Sequence, residues 1–192
     1  HVKGRKRNGI DDMFSTGEIE ALYEETFKDV DIFQDNISLF GNKFMSPLSK
    51  LGPTFYKYYI MDTIAMNGED CIDLAFTPFN VESFGFTGHI YVTTDSGRFV
   101  KSVQMNVPHD INMNFVEYMN IKQDFSRQED GTRILDKETL TAELKLVNAL
   151  NGFYAHREVA YDNYCFESNE FGQRILDNPA KVIEDNNSMK KD

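Results

Sequence analysis

From Phe55 to Phe166 the chain alternates apolar and polar residues with a period of two, and turn signals cut the alternation into pieces of strand length. Seven strands are expected: Phe55 to Ile64, Cys71 to Phe76, Phe86 to Thr94, Arg98 to Val107, Phe115 to Phe125, Thr132 to Leu146 and Phe153 to Phe166. Asn67-Gly68 closes the first pair, because that dipeptide tolerates the positive φ of a tight type I′ hairpin. Asp95-Ser96-Gly97, Glu129-Asp130-Gly131 and Asn151-Gly152 serve the same purpose further on, and Pro78 and Pro108 end their strands. Short connections make neighbours pair antiparallel, so the expected fold is mainly β: a curved antiparallel meander, a half-barrel of about seven strands, with a short N-terminal helix packed on it.

Alternation leaves one dry face, which something must cover. Ser15 and Glu18 have capping-box spacing, and Ile19, Leu22, Tyr23, Phe27 and Val30 follow at helical intervals, which predicts an amphipathic helix over 15–30. Residues 31–54 carry Phe33, Ile37, Leu39, Phe40, Phe44 and Met45 without a clean period, as expected of an irregular segment packed across the sheet. Residues 1–14 read as a linker, 15–166 as a single β-rich domain and 167–192 as a polar tail or linker, with one weak helix around Pro179 built on Ile175, Leu176, Val182 and Ile183. A sheet that curls on itself instead leaves an apolar trough lined by Phe86, Ile90, Val92, Val103, Met105 and Leu144, able to cradle an acyl chain; the rival reading makes these residues a closed core.

The chemistry-bearing residues form no recognisable catalytic or metal motif. The net charge of −11 argues against nucleic acid as a partner, since phosphate recognition needs a basic surface. Lys3, Arg5, Lys6 and Arg7 make a basic arm, but four charges in ten residues suit a solvated linker end better than an anion site. Cys71 and Cys165 lie outside any C-x-x-C pair and are expected as buried free thiols; a single disulfide is the alternative. No apolar run reaches the roughly 18 residues of a membrane span. The chain opens on His1, as an excised piece does, so missing targeting signals say little about its parent.

His89 sits on the expected wet face of a strand. His109-Asp110 follows Pro108 in a turn, and His156 and Glu158 share one face of the last strand; either pair can support general-base chemistry, and both are expected to be ordinary turn or surface residues. Asp124, Glu129 and Asp130 lack the EF-hand pattern for calcium. Phe55, Tyr56, Tyr58 and Tyr59 can stack a sugar, though aromatics on both faces of a partly buried strand explain them as well. No cofactor or metal is expected.

The order of several segments resembles the DUF5686 family: "DIFQDNISLF" at 31–40, "SPLS" at 46–49, "GPTFYKYYIMDT" at 52–63, "NGEDCIDLAFTP" at 67–78, "FTGHIYV" at 86–92, "INMNFV" at 111–116 and "GFYAHREVAYDNYCF" at 152–166. The likeness covers about Asp29 to Phe166. It implies a parent protein of Bacteroidetes with a signal peptide, a β-sandwich before this middle domain and an outer-membrane β-barrel after it, hence a periplasmic setting beside the outer membrane. The family brings no catalytic residues to carry over. The strand run is also similar to the half-barrel of LolA/LolB-type lipoprotein carriers, a fold-level analogy. The expected function is a non-enzymatic periplasmic module of an outer-membrane protein, binding a protein partner or a lipid such as an acyl chain. The alternatives are a hydrolase with a His/Asp site and a carbohydrate-binding module using Tyr56, Tyr58 or Tyr91.

Overall fold

The computed structural model describes residues 24, 28–109, 111, 113, 115–145, 153–161, 165–168, 174–177 and 181–182. A hairpin comes first, β1 (Asn36–Leu39) with β2 (Asn42–Met45). Its two linking residues, Phe40 and Gly41, both have positive φ (49° and 75°), the pairing a type I′ turn demands. One helical turn, α1 (Gly52–Phe55), leads into the meander: β3 (Tyr56–Met66), β4 (Glu69–Pro78), β5 (Thr87–Thr93), β6 (Val100–Asn106), β7 (Val116–Arg127), β8 (Arg133–Leu144) and β9 (Phe153–Ala160). Every consecutive pair is antiparallel. Asn67 and Gly68 take φ of 51° and 82°, so the β3–β4 turn has the predicted form.

The sheet order is β12-β9-β8-β7-β6-β5-β4-β3, where β12 (Lys181–Val182) contributes two residues beside β9. Among the described residues the sheet is open, and β3 is a free edge. Two sequence expectations are corrected here. The last long strand stops at Ala160, and Cys165–Ser168 forms a separate strand, β10, paired with β11 (Arg174–Asp177). Ile175, Leu176 and Val182 therefore lie in strands, where the sequence suggested a helix around Pro179. The N-terminal helix expected over 15–30 lies outside the described residues except at Glu24, which is helical, and at 28–30, which are not.

The dry face is covered by residues 28–50. Val30, Ile32, Ile37, Leu39 and Phe44 are buried against Phe86, Ile90, Val103, Met105, Met119, Ile121, Leu140 and Leu144. Phe44 is fully enclosed, with its ring 4.9 Å from that of Phe86 and 5.4 Å from Phe84. Phe33 meets Phe125 edge-on at 5.3 Å and Phe40 meets Phe115 at 5.4 Å. The segment expected to be irregular is thus a hairpin whose aromatics plug into the sheet.

A polar clasp fixes the start of this cover. Gln123, on the dry face of β7, donates to the Val30 carbonyl at 2.7 Å and to Glu138 Oε2 at 2.5 Å. Glu138 is only 1% exposed and accepts from Arg157 Nη2, while Arg157 Nη1 reaches Asp29 at 3.4 Å. A buried carboxylate persists only when charge and hydrogen bonds compensate its lost hydration.

Two stability outcomes follow. Phe44→Ala empties the centre of the cover and should cost about 3–5 kcal/mol in a urea melt. Glu138→Ala removes the carboxylate beside the nine-tenths-buried Arg157 and should cost about 3 kcal/mol, whereas Glu138→Leu with Arg157→Met should recover most of that. A single Glu138→Ala within 0.5 kcal/mol of the parent would show the clasp to be dispensable.

Candidate functional site

The register places polar side chains in rows across the uncovered face. Asp73 on β4 lies diagonally from His89 on β5, since His89 faces Ala75 and Asp73 faces Tyr91. The His89 Nδ1 to Asp73 Oδ1 distance is 2.6 Å, and the His89 and Tyr91 rings stack at 6.1 Å. Burial, then the Asp73 charge, pushes the Tyr91 hydroxyl above its ordinary pKa. Sequence reading missed this oriented imidazole–carboxylate pair; the β4–β5 register, two residues off a direct pairing and so on the same face, would have revealed it. The next strands continue the row, with Ser102 Oγ donating to Asp124 at 2.6 Å. Among the described residues no group of three or more His, Cys, Asp or Glu is placed to hold a metal.

His156 and Glu158, singled out in the sequence, take separate partners. His156 Nδ1 lies 3.1 Å from Thr141 Oγ1, while Glu158 pairs with Lys137 at 2.8 Å. His109 is described but Asp110 lies outside the described residues. Cys71 is a buried free thiol, with its pKa raised chiefly by burial; the side chain of Cys165 lies outside the described residues.

The six trough residues do share one face. Phe86, Ile90, Val103, Met105 and Leu144 are buried and Val92 is half-buried, all in the cluster roofed by the β1–β2 hairpin. Their space is occupied by Ile32, Leu39 and Phe44 from the same chain. The aromatic run is likewise committed to structure. Tyr56 is 1% exposed, and its hydroxyl donates to the Met45 carbonyl at 2.5 Å and accepts from the Phe86 amide at 3.1 Å. Tyr58 donates to the Pro47 carbonyl at 2.7 Å. Tyr56 is thus enclosed, and Tyr58 is half-buried.

What is left uncovered is the edge. Tyr59, Ile60 and Met61 project from the middle of β3, with Ile60 75% exposed, and Leu51, Phe79 and Val81 are exposed in the segments flanking β3 and β4. The Phe79 amide bonds the Phe55 carbonyl at 2.9 Å, and Lys57 Nζ lies 5.4 Å from the centre of the Phe79 ring. Six of the large apolar side chains that reach solvent thus gather along or beside one sheet edge, next to backbone that, among the described residues, has a neighbour on one side only. An edge of this length and polarity is a template for strand addition.

The family of unknown function DUF5686 matches residues 4–164, and the chain belongs to it. No curated protein and no solved structure matches the chain.

Tyr58 reports the state of this corner. Burial pushes its hydroxyl up to about 12, and Tyr56 rises further, again chiefly through burial. Unfolded tyrosine ionises near 10, so stability is full below about pH 10 and is lost as pH rises toward 12, where the unfolded chain sheds protons the fold retains. Absorbance at 295 nm, compared with Tyr58→Phe, should show Tyr58 titrating near 12, well above free tyrosine. Ionisation near 10 in the folded protein would contradict this packing.

Proposed function

We propose that this member of DUF5686 is a non-enzymatic interaction module on the periplasmic side of an outer-membrane protein, and that it holds a protein partner on the free edge of its sheet. One observation carries the reading: the residues able to line a lipid trough are roofed by the chain's own hairpin, whereas β3 leaves Tyr59, Ile60 and Met61 in water beside backbone that no described strand pairs. Contiguous exposed apolar groups of this kind mark interaction sites on soluble surfaces. Strand addition supplies affinity through main-chain hydrogen bonds and specificity through alternate side chains. The periplasmic setting beside the outer membrane rests on the likeness of the segment order to the family's middle domain.

A second reading keeps the carrier-like half-barrel. The six residues of the expected trough lie on one face, so an acyl chain would find a continuous apolar wall once residues 28–50 moved aside. That movement must break the Gln123 bond to Val30 and withdraw Phe44, a cost of several kcal/mol that a bound lipid would have to offset.

The two readings separate in one experiment. A photo-crosslinking residue at Ile60 in the native-length protein should give a single discrete adduct, and the same residue at Thr139, mid-sheet on the opposite face, should give none. Lipid extraction and mass spectrometry of the same preparation should yield less than one lipid per chain. Stoichiometric lipid with no adduct at position 60 would replace the edge reading by the carrier one.

A further inference from the structure

The pattern of charge on β3 identifies the strand that best fits its edge. Its only charged residues are Lys57 and Asp62. In a regular strand, positions five apart point to opposite faces. Here the register slips between Ile60 and Asp62: Lys57, Tyr59 and Asp62 face Thr77, Ala75 and Asp73, three alternate residues of β4. The bulge at Met61 therefore puts Lys57, Tyr59 and Asp62 on one face. All three are exposed or half-buried.

Neither charge is matched within the described residues. Asp62 accepts only from the Thr63 amide, at 2.7 Å, and sits directly opposite another carboxylate, Asp73. Asp73 has His89; Asp62 has no ion pair. Lys57 has the face of Phe79 and no carboxylate. Like charges directly opposite on neighbouring strands destabilise a sheet, so Asp62 gains from a cation arriving on its open side.

We propose that β3 pairs antiparallel with β3 of a second copy of this chain, about a twofold axis at Tyr59. This rests on the edge being the contact surface and names the partner. With one bulge residue in each strand, the twofold sets Tyr59 opposite its own mate, Ile60 beside the mate's Tyr58, and Lys57 beside the mate's Asp62. Both charges are matched twice and the exposed apolar residues of each edge are buried by the other. The contact is isologous, closes on itself, and leaves no growing edge at β3. A bulge and an edge charge ordinarily deter indiscriminate pairing; in this arrangement the same two features select a single register.

The test uses the native-length chain at an ionic strength of about 0.15 M, where long-range repulsion between two acidic molecules is largely screened. Sedimentation should show a monomer–dimer equilibrium. Lys57→Glu and Asp62→Lys should each weaken the dimer at least about tenfold, a change of about 1.4 kcal/mol, and the double variant should return to near the parent value. Circular dichroism checks that each variant keeps the sheet. Tyr59→Cys should form a disulfide-linked dimer on mild oxidation, since directly opposed residues have Cβ atoms within about 5.5 Å, and Thr139→Cys should not.

A chain that stays monomeric, or a double variant as weak as the singles, overturns the proposal. If position 60 of a monomeric chain still crosslinks to one different protein, the second copy falls and the edge reading stands. A dimer insensitive to both charge reversals and unlinked through position 59 overturns both.

Discussion

The whole arrangement depends on how residues 28–50 close the dry face of the sheet. A seven-strand meander with alternating residues is not self-sufficient, because half its side chains would otherwise meet water. Here a short hairpin does the work a helix layer does in α+β folds. Phe44 fills the centre, Phe33 and Phe40 fix the two flanks against Phe125 and Phe115, and the Tyr56 hydroxyl ties the end of the hairpin to Phe86. The polar clasp of Gln123, Glu138 and Arg157 then sets where the cover begins, since Val30 is the only carbonyl of the cover that Gln123 contacts.

That cover stops short of β3's outer half. Tyr56 is enclosed and Tyr58 is half covered, while Ile60, on the same face two positions on, stands in water. The exposed apolar edge is therefore a consequence of the cover's length as much as of β3's sequence. It also bears on the functional readings: Ile32, Leu39 and Phe44 of the same chain occupy the groove, whereas Tyr59, Ile60 and Met61 of the edge stand in water.

The strand grammar was legible because period-two alternation and turn dipeptides are local signals. Asn67-Gly68 fixed one hairpin, and Pro78 ended β4 at the residue predicted to stop it. The hairpin at 36–45 was not legible. Phe40-Gly41 is a turn of the same form as Asn67-Gly68, but a non-glycine aromatic at positive φ gives no composition signal, and the flanking strands are four residues each. The end of β9 was overrun because Tyr161 to Phe166 keeps strand-like residues after pairing with β8 has ended at Ala160. The six expected trough residues all belong to the buried cluster or pack against it, as alternation implies; what lies over them depends on tertiary packing that alternation does not encode.

The least legible feature is the one on which the functional reading turns. Sequence parity sets Lys57 and Asp62 on opposite faces, and a regular edge strand would have shown each partner a single unmatched charge. One inserted residue at Met61 reverses that parity for everything beyond it, so that Asp62 faces Asp73 instead of Ile72. Bulges have no reliable sequence mark, because the signal lies in the pairing of two strands and not in either alone. The same slip that hides Asp62's position from the sequence also sets its electrostatic environment: a carboxylate held opposite a carboxylate, at the open side of the sheet, where a positive charge carried in by another strand would be favourable.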